Sequence, residues 1–446
     1  MPPDFISRIS QQLGSKTQAF LEALNHPPSP AIRYNPAKAK VPFVGQPIPW
    51  EPFGRILPER PVYALDPIFH AGGYYVQEPS SMILGFLIPQ LLSSFPEAPL
   101  WLDLCAAPGG KSTHLLSFLP DDGLLVSNET DPHRASILHE NLFRWGNPRF
   151  LFTREGAHKW NQIQECFDLI LLDAPCSGEG MFRKDDFAIT QWTPDLVQQC
   201  AHRQTDLLAN ILPTLKPGGF LIYSTCTFAP EENINQLLPY LESGDLQAIR
   251  LTNPPTDWGW ERIQPSISAW QTWFHTSLGE GLFCAVLQKP GKLEELDLPP
   301  LKIFKKNKPF TTIPHLPELM PHLSWAETPE AIRLVPNLAK PFQPYLEKYH
   351  IRSTAGIPAG KIQQNRWTPS QELAWWPDLP MEGFKTLEVS LPQALDYLRR
   401  DTVHWHQSGN RGMHLITYQN LALGWMHLLE GRSNNLYPIP YRLRMR

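Results

Sequence analysis

Between about residues 76 and 290 the chain alternates short apolar runs with stretches of helical period. The runs are Trp101–Leu104, Gly123–Ser127, Phe167–Leu172, Gly219–Tyr223 and Leu282–Leu287. Runs this short and this uniformly apolar suit strands covered on both faces, and the helical stretches suit crossover connections. The pattern therefore predicts an α/β domain, doubly wound around parallel strands. The flanks differ. Phe5, Ile6, Ile9 and Leu13, then Phe20, Leu21 and Leu24, fall at helical spacing and predict two short helices ended by Pro27, Pro28 and Pro30. Residues 31–75 hold short apolar runs between Pro and Gly, which predicts small strands and turns. Pro makes up 48 of 446 residues, about twice its usual share. Residues 290–315, with Lys302, Lys305, Lys306 and Lys308, read as a linker, and 316–380 show no clear period. Short strands return at Lys385–Val389, His414–Tyr418 and Leu421–Trp425, before a basic end at Arg442, Arg444 and Arg446. The expected division is 1–75, 76–292, 293–384 and 385–446.

Several classes are excluded. No stretch of eighteen apolar residues exists to cross a membrane. The opening Met1-Pro-Pro-Asp-Phe5 lacks the basic and apolar regions of a secretion signal, so a cytoplasmic setting is expected. The six cysteines, at 105, 166, 176, 200, 226 and 284, include no CxxC spacing. A zinc ribbon or thioredoxin-type site is thereby excluded, no metal is expected, and reduced thiols are. Residues 1–300 carry a net charge of -11 and residues 301–446 one of +7. A basic back can meet a polyanion, although +7 over that length is also an ordinary solvated surface.

Residues 101–114 read Trp-Leu-Asp-Leu-Cys-Ala-Ala-Pro-Gly-Gly-Lys-Ser-Thr-His: a strand, a turn of small residues, then a helix. Small residues let a ligand approach the backbone, and the helix start supplies free N–H groups. A phosphate-binding loop would need Gly where Cys105 stands, and the dinucleotide pattern G-x-G-x-x-G is absent. An adenosyl ligand without a triphosphate remains. Its ribose hydroxyls want an acid at the end of the second strand, ~20 residues on. Glu129 is placed there, although it could equally be a helix-start charge, as could Asp131. Glu155, near the third strand end, is either an acceptor for the adenine amine or a surface acid.

Residues 168–185 run from a buried strand through Asp173 to Cys176 in the loop beyond, and residues 219–228 deliver Cys226 at the end of another strand. Ligands of open α/β sheets bind outside the carboxyl ends of strands, so Asp173, Cys176, Cys226 and the 105–111 loop are expected on one rim. Cys166, Cys200 and Cys284 are read as small buried hydrophobes.

Cys105-Ala106-Ala107-Pro108-Gly109-Gly110-Lys111, Asp173-Ala-Pro-Cys176-Ser-Gly and Ser224-Thr-Cys226-Thr-Phe resemble the signature motifs of the Sun/nucleolar-protein family of RNA cytosine-5 methyltransferases. Tyr75-Val-Gln-Glu-Pro-Ser-Ser81 and Gly279-Glu-Gly-Leu-Phe283 are similar to flanking family segments. Gly178-Glu-Gly-Met-Phe-Arg-Lys-Asp185 and the basic end resemble the bacterial RsmF-like rRNA branch, whose PUA-like tail Gly424-Trp425 and Asn435-Leu-Tyr-Pro438 also resemble. The resemblance is strongest over 75–290 and weakest over 293–380.

The resemblance implies a Rossmann-like class I methyltransferase domain, with a small N-terminal α+β RNA-binding module and a C-terminal PUA-like β-rich RNA-binding module. It implies S-adenosylmethionine as donor, bound by residues 105–111, Glu129, Glu155 and Asp173. The implied substrate is a cytosine of 16S rRNA. A tRNA, or a non-catalytic role in ribosome assembly, are the alternatives. RNA and the small ribosomal subunit are the expected partners, with no membrane, and the chain is expected to be a monomer. By resemblance Cys226 is the nucleophile at C6, Asp173 acts at N3, and Cys176 assists release. Pro175-Cys176 also has the form of the nucleophile of DNA cytosine-5 methyltransferases. The Thr-Cys226 motif, and the lack of a DNA-type Gln after Pro-Cys, favour Cys226. Lys111 and Lys184 are candidates to support the thiolate. Arg183 and Lys184 are candidates for an RNA phosphate; Tyr75, Gln77 and Phe182 for a flipped base, with core packing the default for Phe182; and Arg33 and Asn35 for RNA. Trp367, Trp375 and Trp376 are stacking candidates, with core packing as the default.

Overall fold

Phe167–Leu172 is buried along its whole length in the computed structural model, which describes residues 1–38, 44–294, 321–328, 331–363, 366–401, 411–430 and 432–445. The lysines of the expected linker lie outside those residues. The central sheet is built from β1 (Leu100–Asp103), β2 (Leu124–Asn128), β3 (Phe150–Thr153), β4 (Phe167–Asp173), β5 (Leu215–Thr225), β6 (Trp260–Arg262), β7 (Ser268–Thr272), β8 (Leu282–Gln288) and β9 (Ser353–Ala355). Their order is β6-β7-β8-β5-β4-β1-β2-β3-β9, and Gln247–Ala248 adds a short strand to β8. Strands β3, β2, β1, β4 and β5 are parallel. The order of connection therefore reverses at β1, with β2 and β3 on one side and β4 and β5 on the other, and the crevice above that point is where such sheets bind ligands.

Strand β8 corrects one expectation. Its composition predicts a parallel strand, and it runs antiparallel to both β5 and β7. Short turns between β6, β7 and β8 reverse the chain without crossover helices. Because β8 is buried on both faces, its side chains carry the same uniform apolarity as a parallel strand. Inside β4, the Asp168 carboxylate accepts from Leu100 N at 2.7 Å and from Lys216 Nζ at 2.8 Å. That pairing compensates a charge with no exposure.

The amino-terminal helices are Pro3–Leu13 and Thr17–Ala23. An antiparallel sheet of Ala31–Tyr34, Gln46–Ile48, Glu51–Ile56 and Tyr74–Val76 follows. Residues 323–369, which show no clear period, form a second antiparallel sheet of Leu323–Glu327, Ile332–Pro336, Ile357–Gln363 and Arg366–Pro369, with helix Ala339–Glu347. From within this region β9 leaves to pair antiparallel with β3. The final sheet contains Lys385–Glu388, Gly412–Tyr418, Leu421–Leu429 and Arg432–Asn435. It also carries a helix where the sequence predicts strands alone, Leu391–Arg399, started by a capping box of Ser390 and Gln393. Among the described residues no helix is long and apolar enough to cross a membrane.

Candidate active site

The loop after β1 is shaped by two glycines. Gly109 has φ +112°, a left-handed conformation, and a Cβ there would meet Asn141 and Leu138 at 3.3 Å. A Cβ on Gly110 would sit 3.2 Å from the Tyr75 ring. Gly110 begins the helix to Phe118, so the loop backbone and the helix start face the crevice together. Burial, with Asp103 and Glu129 nearby, pushes the Cys105 thiol well up, so Cys105 is part of the loop wall and not a nucleophile.

Lys111 and Asp173 meet at 2.8 Å between Nζ and Oδ2, and Ser224 Oγ donates to Asp173 Oδ1 at 2.6 Å. Burial opposes the charge on Lys111. Asp173, Cys226 and Asp103 outweigh that penalty, and its pKa is raised. The ammonium is therefore a permanent cation at the rim.

Cys176 and Cys226 face each other with their sulfurs 3.2 Å apart. The two thiols titrate as a pair. Cys226 is lowered, first by the hydrogen bond from Cys176 and then, against burial, by Lys111. Cys176 is raised by the same hydrogen bond and by burial. The lysine acts on Cys226. The lysine charge therefore favours a thiolate on Cys226 over one on Cys176, a choice the residues alone leave open.

Acids that the sequence does not single out hold the two cysteine loops together. Glu232 Oε2 accepts from Ser177 N and Gln204 Nε2, both at 2.9 Å. Buried Glu179 accepts from Trp192 Nε1 at 2.7 Å and Phe228 N at 2.9 Å, and it pairs with Arg8 of the first helix. Gly180 N donates to Cys226 O at 2.8 Å. The available signal is a Glu in the turn that follows each cysteine, at 179 and at 232.

On the cofactor side, Asp131 caps the helix Pro132–Trp145 by accepting from Arg134 N. That settles which acid serves the helix start. Glu129 lies at the end of β2 with Oε1 accepting from Asp131 N at 3.0 Å. Its Oε2 is buried without an aligned hydrogen bond, although Arg134 Nη1 is 3.1 Å away. Asp103, another acid outside the sequence-based set, is fully buried. Its Oδ2 accepts from Ser112 Oγ at 2.6 Å and its Oδ1 has no partner. Burial raises it to about 7. Open carboxylate oxygens beside a glycine turn fit an adenosyl ligand with ribose hydroxyls and an ammonium to satisfy. Glu155 sits at the end of β3, with its carboxylate engaged by Lys159 Nζ at 2.6 Å and by the N–H of Arg352 at 3.2 Å.

Other candidates are placed elsewhere. Arg33 and Asn35 are buried, not offered to RNA. Arg33 donates to Gln77 and Thr113, both at 2.7 Å, and stacks over Trp145, while Asn35 donates to Trp145 O at 2.8 Å. They join the amino-terminal sheet to the cofactor helix. Gln77 is committed to Arg33, whereas Tyr75 stays half-buried beside Gly110. Phe182 packs on Phe5. Arg183 is held by Glu280 at 2.7 Å, and Lys184 stands 3.9 Å from the same acid. Trp375 and Trp376 are core, and Trp367 leans on Phe384.

A Rossmann-like sheet with a glycine cofactor turn and paired strand-end thiols defines an S-adenosylmethionine-dependent methyltransferase. The chain belongs to the 16S rRNA methyltransferase RsmB/F family, whose model matches residues 90–288. Residues 1–79 match the N-terminal domain of 16S rRNA methyltransferase RsmF, and residues 384–443 match the RsmF PUA domain. Ribosomal RNA small subunit methyltransferase F of Cronobacter sakazakii is 30% identical over 97% of this chain and 94% of its own length. A methyltransferase homologue from Pyrococcus horikoshii is 26% identical, with a TM-score of 0.52 over 65% of this chain and all of that one. The structure of NSun6 from Pyrococcus horikoshii with SFG, 19% identical, shares the fold with a TM-score of 0.52 over 65% of this chain and 98% of that one.

Proposed function

We propose that the protein methylates C5 of a cytosine in 16S rRNA through a covalent adduct of Cys226 at C6. The observation that carries this is the 3.2 Å approach of the two sulfurs beside the Lys111–Asp173 pair. Residues 105–111, Glu129 and Asp173 hold the donor, and Glu155 accepts from its adenine amine by releasing Lys159. S-adenosylmethionine supplies the methyl group that cytosine C5 receives.

Cytosine C5 is a poor nucleophile until a thiolate adds at C6. Cys226 makes that bond, and Lys111 and the Cys176 S–H favour its ionised form. Asp173 moves a proton to and from N3, drawing electrons out of the ring as the sulfur adds. Lys111 and Ser224 hold its carboxyl in place. Once C5 is substituted, its proton leaves and the C6–S bond breaks, with Cys176 assisting that release. Residues 1–75 and 385–446 bind RNA and position the strand, and residues 293–384 connect them. The protein works as a monomer in the cytoplasm, on RNA of the small ribosomal subunit. The name of the Cronobacter relative favours rRNA over tRNA.

Two experiments test this. Bisulfite mapping of 16S rRNA and tRNA from cells lacking the protein should show one or more rRNA cytosines losing modification; an unchanged rRNA map refutes the substrate. Cys176→Ala should accumulate a slowly migrating protein–RNA species on a denaturing gel, and Cys226→Ala should abolish it. No such species with either variant refutes the adduct.

A further inference from the structure

We infer that a cavity between the amino-terminal module and the helix Pro132–Trp145 holds one unpaired nucleotide of the RNA, near the cytosine being modified. The inference rests on the proposed function and adds a second base site to it. The cavity has a volume of about 380 Å³, within the roughly 300–1,000 Å³ usual for ligand sites. Arg60, Tyr63, Phe69, Tyr75, Arg144 and Trp145 line it.

Three features select a nucleotide over other ligands. First, the walls are aromatic: Tyr63, Phe69 and Tyr75 are half-buried, and Trp145 is backed by the Arg33 guanidinium. The part-exposed rings of Tyr63 and Tyr75 suit base stacking, which tolerates any base. Second, the charge at the mouth is positive. Arg60 is exposed and makes no hydrogen bond or ion pair among the described residues. Arg144 lies over the Phe69 ring at 4.8 Å and is already paired with Glu140. A phosphate entering with its base would meet Arg60. Third, the cavity adjoins the cofactor turn, whose next residue, Lys111, reaches Asp173. Tyr75 closes one side of it and abuts Gly110 of the cofactor turn, and Asn141 in the same wall donates to Pro108 O at 2.8 Å. A strand with its target cytosine unstacked over Cys226 has neighbouring bases that have also lost a stacking partner. An aromatic slot beside the turn gives one of them a new one.

The test uses the full chain and the 16S rRNA fragment that contains the mapped cytosine. Arg60→Ala and Tyr63→Ala should each weaken RNA binding about tenfold, with S-adenosylmethionine affinity unchanged in calorimetry. Thiouridine placed beside the target should photocrosslink to the peptide containing Tyr63. Replacing the crosslinked nucleotide with an abasic one should weaken wild-type binding as much as Tyr63→Ala does, and should add nothing to that variant. If wild-type protein binds and methylates the fragment, while both variants bind it within twofold of wild type and no crosslink reaches residues 60–76, the cavity assignment is wrong and the proposed function stands. If wild-type protein neither binds nor methylates the fragment, the proposed function fails and this site falls with it.

Discussion

Lys111 brings a positive charge to bear on Cys226, the thiol we propose as the nucleophile. It also touches Asp173. The lowered pKa of Cys226 sets the direction of a pH effect: below that pKa the thiolate is lost, so the acid limb of kcat/KM should lie below the ~8.5 of a free cysteine. Lys111→Met should move this limb to higher pH and cut the rate at neutral pH; a limb that stays put in the pH–rate profile would assign the ionisation elsewhere. Glu129 calls for a different measurement. With one buried carboxylate oxygen free of aligned donors, Glu129→Ala should weaken cofactor binding by about tenfold or more and leave RNA affinity nearly unchanged, as calorimetry and RNA titration would show. Equal losses in both would place Glu129 outside the cofactor site. These residues are legible because each lies in the turn, loop or helix start that a buried strand leads into. Glu179 and Glu232 are not, because a buried acid is identified by its donors, and those come from distant segments such as Arg8 and Gln204.

Elements differ in how plainly they are written. Strands β1 to β5 are short apolar runs between helical stretches, and both their existence and their buried character follow from that pattern. The direction of β8 does not, since an antiparallel strand covered on both faces has the same composition as a parallel one. The helix Leu391–Arg399 does carry a local signal: Ser390 and Gln393 three residues apart, then Ala394, Tyr397 and Leu398 on one face. Within the sheet, β4 and β5 depend on a buried ion pair. Lys216→Met should leave Asp168 uncompensated and lower stability by about 3 kcal/mol in urea unfolding. A change below about 1 kcal/mol would mean that Asp168 becomes neutral at little cost.

At the scale of the molecule, the carboxy-terminal module is part of the main core. Leu415, Trp425 and Tyr437 belong to the same buried cluster as Trp50 and Trp101, and Tyr437 reaches His70. Removing residues 385–446 would therefore strip the core as well as any RNA contact. Arg442 and Arg444, both exposed, offer a cleaner probe. Changing each to Ala should lower the slope of log affinity against log salt by about one per lost phosphate contact, and an unaltered slope would show that the basic end does not meet RNA. The stretch from 293 to 384 is the least legible because what it completes lies elsewhere: three residues, Ser353–Ala355, lie against Phe150–Thr153. A chain cut near residue 294 would contain every motif of the chemistry, yet it would leave the outer edge of β3, the side away from β2, without a neighbour. Such a bare ladder pairs readily with another copy of itself, so the isolated catalytic half should self-associate.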